Sequence, residues 1–453
     1  MLRYILRACV LAAAFQIQPL WATNDQDLDS IRTEIRSMRE SYESRIAALE
    51  KRLVAAETKA QSAEARASEA LVANSSASVP AASASAFNPA ISLILSGTYA
   101  NLQRDPNTYR ITGFVPSGGE VGPPKRSFAL AESELVMSAN IDPNWRGDFT
   151  LALAPDNAVA VEEATIQSLA LPYGLTVKGG RFFSSIGYTN EQHAHTWDFV
   201  DAPLAQKAFL GKQYSHDGVQ LKWLAPTETF LELGVEAGRG HNFPGAERNK
   251  NGIGGYAAFA HAGGDVGESH SWRSGMSYLH NRPQAREFTD AGITNSVSGR
   301  SNLWLADFVW KWAPQGNARQ TNFKFQTEYY RRNERGDLTY NTAAPVTDFY
   351  SAKQSGWYAQ GIYQFQPRWR VGARYDRLDY GSLNLGSAIA SANLPILAAH
   401  NPTRATLMLD YSASEFSRLR MQFARDQSRL GQTDNQLMLQ YVMSLGAHGA
   451  HKF

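Results

Sequence analysis

Hydrophobic and polar positions alternate with a period of two over most of the chain. The final segment, QLMLQYVMSLGAHGAHKF, shows the pattern, because Leu437, Leu439 and Tyr441 share one phase and the other phase includes Gln436, Gln440 and Ser444. Successive side chains of a β-strand point to opposite faces, so this segment predicts a strand with one apolar face and one mixed face. About sixteen segments of this kind follow one another from residue 90 to the end of the chain, which predicts an all-β domain.

The connections between these segments alternate in length. Short turns follow most even-numbered strand candidates and long segments follow most odd-numbered ones. The long segments are residues 103–125, 184–213, 240–251, 282–301, 333–354 and 381–401. Bacterial outer-membrane barrels have an even number of strands, short turns on one side and long loops on the other. Residues 90–453 therefore predict an all-β transmembrane barrel of about 16 antiparallel strands, with an apolar outer face and a wet lumen, rather than a soluble sandwich.

A different period precedes the barrel. Over residues 24–73, apolar positions such as Leu28, Ile31 and Ile35 recur by threes and fours between charged residues, which predicts an α-helical coiled coil. A single amphipathic helix that lies on another surface is the alternative. Residues 74–89 are small, polar and low in sequence complexity, which indicates a linker.

The first 22 residues have the features of a secretory signal peptide. Arg3 and Arg7 flank the short apolar segment ACVLAAAF, and Ala22 offers a cleavage point. The only cysteine of the chain, Cys9, lies inside this segment, so disulfides and thiol catalysis are excluded from the mature part. Together with the barrel, this predicts a place in the outer membrane of a Gram-negative bacterium, with the coiled coil in the periplasm.

Composition agrees with this prediction and removes some classes of partner. Charged residues make up 19% of the chain and aromatic residues 11%, as suits a barrel with aromatic girdles. No stretch of about 20 apolar residues follows the N-terminal segment, so a helical membrane protein is not expected. The net charge is +2, which gives no indication of a nucleic-acid partner.

Three stretches resemble the phosphate-selective (polyphosphate) porin family: ELVMSANIDPNWRGDFTLAL, ATIQSLALPYGLTVKGGRFFSSIGYTN and FVDAPLAQKAFLGKQYSHDGVQLKWL. In that family a strand that ends in Gly-[Arg/Lys]-Phe, here Gly180, Arg181 and Phe182, leads into a long loop folded into the barrel. The resemblance implies a homotrimeric sixteen-stranded channel with a constriction loop and basic lumen residues. The coiled coil resembles the periplasmic extension of some sugar-specific porins, and Phe453 resembles the signal that the barrel-assembly machinery binds.

The loop from Ser184 to Gln213 is the predicted constriction, because mixed charges across a narrow aqueous pore create a transverse field and a size filter. An ordinary surface loop is the alternative. With Arg181 at its entry, the candidate residues are Glu191, His193, His195, Asp198, Asp201, Lys207 and Lys212.

A row of arginines on the non-lipid phase of the last strands is the predicted pore wall. Its members are Arg368, Arg370, Arg374, Arg404, Arg418 and Arg420. Asp376, Asp410 and Asp426 partly offset their charge, so a mild anion preference follows as a hypothesis. A solvated lumen face without selectivity is the alternative.

Other chemistry is weakly indicated. His193 and His195 could share a metal ion with Asp198, but no third ligand is fixed by the spacing, so neither a metal site nor a cofactor is predicted. Glu162 and Glu163 are adjacent and are expected to point to opposite faces of their strand, which excludes a catalytic pair. No nucleophile with a neighbouring base stands out, so no enzymatic activity is expected.

The sequence therefore predicts an outer-membrane porin for passive diffusion of small hydrophilic solutes, with membrane lipid and two further copies of the chain as its partners. Two alternatives stay open. One is a structural tether that links the barrel to peptidoglycan through the coiled coil. The other is a metal or siderophore uptake receptor, although such receptors carry a folded plug before the barrel and only a helix and a linker precede this one.

Overall fold

The computed structural model describes residues 89–118, 121–247 and 249–446. The predicted signal peptide (1–22), the predicted coiled coil (24–73), the linker up to residue 88 and Phe453 lie outside the described residues.

Eighteen β-segments make up the domain. They are β1 (Ala90–Leu102), β2 (Ser127–Leu130), β3 (Ser133–Asp142), β4 (Trp145–Leu153), β5 (Val159–Ser168), β6 (Leu175–Phe183), β7 (Ser215–Leu224), β8 (Phe230–Gly238), β9 (Gly255–Val266), β10 (His270–Asn281), β11 (Arg286–Asp290), β12 (Ile293–Trp312), β13 (Asn322–Tyr340), β14 (Val346–Gln366), β15 (Trp369–Leu385), β16 (Thr403–Ser414), β17 (Ser417–Asp426) and β18 (Asp434–Gly446).

The sheet closes on itself. β1 pairs with β18 from Ser92 opposite Gly446 to Leu102 opposite Gln436, and every pairing is antiparallel. β2 and β3 pair with successive parts of β1, and β10 and β11 pair with successive parts of β12, so each pair forms one interrupted strand. The result is a closed barrel of sixteen antiparallel strands, which confirms the predicted barrel.

Apolar side chains lie on the outer face of the barrel and polar side chains on the inner face, which is the reverse of a soluble protein. In β18, Leu437, Leu439 and Tyr441 are exposed on the outer face, whereas Gln436 and Gln440 are buried inside the barrel. Membrane barrels have this arrangement, with apolar residues outside and polar residues inside.

Three strands continue well beyond the length needed to cross a bilayer. β12, β13 and β14 have 20, 19 and 21 residues, and pairing runs unbroken to Ser296 opposite Thr339. The prediction of long loops at 282–301 and 333–354 was therefore wrong. Where no lipid contacts the outer face, apolar residues are not required on alternate positions, so pairing continues without the sequence signal of a strand.

Helical segments among the described residues are short. The only α-helix among the described residues is α1 (Leu204–Leu210). Short 3₁₀ turns lie at Pro106–Thr108, Pro172–Gly174, Ala194–Thr196, Pro314–Gly316, Ser391–Asn393 and Pro395–Leu397. Within the described part of the chain, no helix has the length and apolar character to span a membrane.

The outer face yields a first test at Leu407, an exposed residue of β16. If this face contacts lipid, Leu407→Arg should destabilise the folded barrel in vesicles by up to about 2–4 kcal/mol, because a charged side chain is costly near the bilayer centre. Urea titration of the protein refolded into vesicles measures the change. Leu407→Phe is the matched control and should stay close to the parent, and equal stability of the two variants would contradict a lipid-facing position.

Candidate functional site: the barrel lumen and its internal loop

The loop between β6 and β7 begins and ends at one closed neck. Ser184 donates its backbone N–H to the carbonyl of Tyr214 over 3.0 Å. The side chain of Asn190 donates to the carbonyl of Ser184 at 2.7 Å and to that of Tyr214 at 2.9 Å. It also accepts from the backbone N–H of Tyr214 at 2.7 Å. These bonds hold the base of the loop at the barrel wall, so residues 185–213 are directed inward.

Side chains of the wall satisfy the backbone of this loop. Gly187 donates to Ser277 at 3.1 Å and Thr189 to Glu328 at 3.0 Å. Farther along, the backbone N–H of Val200 donates to Gln422 at 2.8 Å, and that of Leu204 to Asp376 at 2.9 Å. Irregular backbone away from bulk water needs such partners. The loop therefore crosses the interior from the β10 side to the β15–β17 side.

An apolar contact fixes the middle of the loop. All seven residues of α1 are buried, and Phe209 stacks on Tyr330 with ring centroids 5.9 Å apart. The guanidinium of Arg332 lies 5.2 Å from the ring of Phe209. Tyr358 and Leu378 of the wall belong to the same buried cluster. One side of the lumen is thereby filled with packed side chains instead of water.

The two predicted sets of charged residues meet in the structure. Asp198 pairs with Lys324 and lies 3.2 Å from Arg370. Asp201 pairs with Arg404, and it lies 2.8 Å from Lys207 and 3.2 Å from Arg374.

The pKa values of both carboxyls reflect these contacts. Burial raises the pKa of Asp198, but Lys324 and Arg370 outweigh burial and hold it below its ordinary value. Burial acts on the pKa of Asp201 in the same direction, and Arg404, Lys207 and Arg374 lower it well below the ordinary value.

The other arginines of the predicted wall bind the loop through its carbonyl groups. Arg418 donates to the carbonyl of His195, and Arg420 donates to that of Trp197 at 2.8 Å. Arg368 does not take part, because it lies in the exposed turn between β14 and β15 with φ of 73°. The prediction that Arg368 belongs to the pore wall was therefore wrong, since its strand begins only at Trp369.

Arg181 also lies away from the loop's charged residues. Phe182 is fully buried against His216 inside the barrel, so Arg181 and its partner Asp217, at 2.6 Å, occupy the opposite face of their strands. The glycine before it has a different purpose. Gly180 has φ of +122°, and a Cβ there would lie 2.0 Å from the carbonyl oxygen of Ala164, so only glycine fits. The Gly-Arg-Phe motif thus sets strand geometry, and the prediction that Arg181 belongs to the constriction was wrong.

The remaining loop residues have separate partners. Lys212 lies 2.8 Å from Glu132 of the segment between β2 and β3. Glu191 is exposed and lies close enough to His261 and Asp307 to act on them electrostatically. The side chain of Arg273 in β10 is also 20% exposed. Water therefore reaches the lumen on this side.

A cluster of imidazoles and carboxylates lies where the loop passes β3 and β5. Nδ1 of His193 is 3.1 Å from Glu134 and 3.2 Å from Glu162, and its Nε2 is 2.9 Å from Glu163. Nδ1 of His195 is 3.0 Å from Glu134. Burial lowers the pKa of His193, but its hydrogen bonds to the three carboxylates outweigh burial and raise it well above the ordinary value.

The expectation that Glu162 and Glu163 point to opposite faces was wrong. The register of β4 and β5 shifts at this point, from Thr150 opposite Glu163 to Leu151 opposite Val161, so Glu162 has no directly opposed residue. Such a bulge interrupts the alternation of side chains. Sequence alone gave no signal for it.

Sequence reasoning also missed two inward lysines. Lys178 of β6 has the same strand phase as the buried Phe182 and lies 5.6 Å from its ring. Lys311 of β12 has the same phase as the buried Asp307 and Val309. Among the described residues, no carboxylate oxygen lies within 4.0 Å of either ammonium group. Neither lysine therefore forms an ion pair among the described residues, although Glu163 and Glu236 act electrostatically on Lys178 and Asp198 acts on Lys311.

The fold and this lumen define a closed antiparallel barrel with an internal loop. No protein-family model matches the chain, so the resemblance to phosphate-selective porins stays unconfirmed. An uncharacterized protein of Aquifex aeolicus (strain VF5) is 32% identical over 396 residues, which cover 81% of this chain and 80% of the relative. The chain belongs to the same family as that protein.

Solved barrels show only a distant likeness. A loop-deletion mutant of OmpT, an outer membrane protein of Vibrio cholerae, is 9% identical with a TM-score of 0.48, over 79% of this chain and 99% of that one. The outer membrane channel DcaP of Acinetobacter baumannii is 12% identical with a TM-score of 0.48, over 79% and 97%.

Asp201 supplies a test of how the loop is held. Asp201→Asn should lower the free energy of unfolding by about 3–5 kcal/mol, because Arg404, Arg374 and Lys207 would lose their shared buried counter-charge. The same variant should be cut faster by trypsin within the loop. Glu191→Gln, at an exposed carboxylate, is the control and should change stability by less than about 0.5 kcal/mol. Equal effects of the two substitutions would show that the ion pairs do not hold the loop.

Proposed function

We propose that the chain is an outer-membrane porin through which small hydrophilic solutes diffuse passively. The observation that carries this proposal is the combination of an apolar outer face with a charged interior crossed by a loop. A barrel that served only as an anchor would need no charged groups with access to water inside. The proposal includes a homotrimer, a coiled coil in the periplasm and recognition of Phe453 by the barrel-assembly machinery. The coiled coil and Phe453 lie outside the described residues.

The loop from Ser184 to Gln213 is the proposed constriction. Its helix packs on the β13–β15 side, so the passage runs along the other edge of the loop, where Glu191 and Arg273 are reached by water. Asp198, Asp201 and Lys207 act as supports, because each is bound to a charged partner and nearly closed to water. The loop therefore narrows the lumen by occupying space at a fixed position, and its paired charges contribute little to the selection of solutes.

A mild anion preference follows from the lysines rather than from the arginines. Arg370, Arg374 and Arg404 are each paired with aspartates, so their positive charge is largely cancelled within the wall. Lys178 and Lys311 lack such a partner among the described residues and add positive potential along the passage. The charge that selects solutes is therefore placed on β6 and β12.

Recording across planar bilayers tests both parts of the proposal. In asymmetric potassium chloride the reversal potential of the parent should have the sign of a weakly anion-selective channel. Replacing Lys178 and Lys311 together by Gln should lower the chloride-to-potassium permeability ratio by about twofold, since two positive charges leave the lumen.

Arg368→Gln, at an exposed turn, is the control and should leave the reversal potential unchanged. A correctly folded protein that shows no conductance would contradict the proposal that the chain is a porin. A reversal potential that is insensitive to loss of both lysines would contradict their proposed role and leave the passage itself intact.

A further inference from the structure

Three separate elements bring possible metal ligands to one place. His193 and His195 come from the internal loop, Glu134 from β3 and Glu162 from β5. One ligand atom each from Glu134, His193 and His195 can be chosen so that all lie within 4.8 Å of one another. The sequence provided the two histidines but not the carboxylate, which lies 59 residues before the first of them. Asp198, the partner considered from the sequence, is turned toward Lys324 instead.

The spacing of these atoms fits a small cation. Nδ1 of His193 lies 3.1 Å from one oxygen of Glu134, and Nδ1 of His195 lies 3.0 Å from the other. Neighbouring ligands of a tetrahedral Zn²⁺ with bonds of about 2.0–2.2 Å are about 3.4 Å apart. Small rotations of the side chains would bring the atoms to that separation.

A supporting carboxylate is already in place behind the first imidazole. Nε2 of His193 lies 2.9 Å from Glu163, and the other oxygen of Glu163 accepts the backbone N–H of Phe183 at 3.1 Å. This contact leaves Nδ1 as the nitrogen that faces Glu134 and Glu162. Metal-binding histidines typically donate their second ring nitrogen to a carboxylate in this way.

The cluster contains an unsatisfied group. The side chain of Glu134 is 99% buried and points into the cluster, and its Oε2 has Nδ1 of His193 at 3.1 Å but forms no well-aligned hydrogen bond among the described residues. Three carboxylates contact the single imidazole of His193, so the site has an excess of negative charge. Glu132 lies beside it but is paired with Lys212 at 2.8 Å.

We propose that Glu134, His193 and His195, together with Glu162, bind a divalent transition-metal ion of the Zn²⁺ type. Two imidazole nitrogens with carboxylate oxygens suit Zn²⁺ and its neighbours, whereas Ca²⁺ and Mg²⁺ prefer oxygen ligands alone. The ion joins the internal loop to the wall at β3 and β5, whereas Arg404 and Arg374 hold the loop at β16 and β15. This inference needs only the cluster itself and stands whether or not the barrel conducts.

Metal uptake by the tag-free, full-length protein in detergent tests the proposal. After removal of metals by a chelator, equilibrium dialysis against Zn²⁺ with elemental analysis should give one tightly bound ion per chain. Co²⁺ in its place should show visible absorption of the intensity typical of tetrahedral coordination. Glu163→Gln keeps all the direct ligands and should weaken binding by about 10–100-fold, through loss of support for His193.

The double variant His193→Gln/His195→Gln should lose the tight site and the cobalt spectrum, while His400→Gln, at a histidine bonded to the Gln427 carbonyl, should keep both. The shift in gel mobility on heating verifies that each variant is a folded barrel. If the double variant does not fold, the comparison of Glu163→Gln with the parent decides. Absence of stoichiometric Zn²⁺ in the parent, or unchanged affinity in every folded variant, would show that the cluster is an ion-pair network only.

Discussion

Pairing of backbone N–H and C=O groups is the constraint on which this structure depends. A strand in a bilayer has no water to satisfy its backbone, so the sheet must close without free edges. Here β1 and β18, which lie at the two ends of the domain, meet over eleven residue pairs and complete the ring. Once the ring is closed, alternation of side chains sends apolar groups outward and polar groups inward.

The same constraint acts on the loop inside the barrel. Its irregular backbone is bonded to side chains of four different strands: Ser277 of β10, Glu328 of β13, Asp376 of β15 and Gln422 of β17. Inward polar residues thus do two things at once: they satisfy the loop, and they neutralise each other. That explains why most of the lumen arginines carry little free charge and why the proposed anion preference is assigned to Lys178 and Lys311, which have no ion-pair partner among the described residues.

Much of the fold could be predicted from the sequence, because successive side chains of a strand point to opposite faces and the two faces of this barrel differ in polarity. All sixteen strands were found on this basis, as was the loop after β6. The signal failed where the physical cause was absent: the outer parts of β12, β13 and β14 lie beyond the apolar band and look like loops. The candidate site was predicted less completely. Contacts such as Asp201 with Arg404 join residues about two hundred positions apart, and no local pattern specifies them.

Errors at single residues had local backbone causes. Arg368 is itself the turn residue with positive φ that precedes β15, so it is not part of the wall. Arg181 follows Gly180 and lies on the outer phase of β6, so it is not part of the pore. The bulge in β5 brings Glu162 and Glu163 to the same imidazole, that of His193. The resulting cluster of carboxylates and histidines is not indicated by the spacing of these residues in the sequence.

The most direct measurement of the central claim is the accessibility of spin labels placed one at a time along residues 436–441 in vesicles. The account predicts alternation with a period of two: labels at Leu437, Leu439 and Tyr441 should be relaxed by oxygen dissolved in lipid, and those between them by a water-soluble nickel complex. Uniform access to the nickel complex along the whole stretch, or no alternation at all, would contradict a barrel that is apolar outside and wet inside.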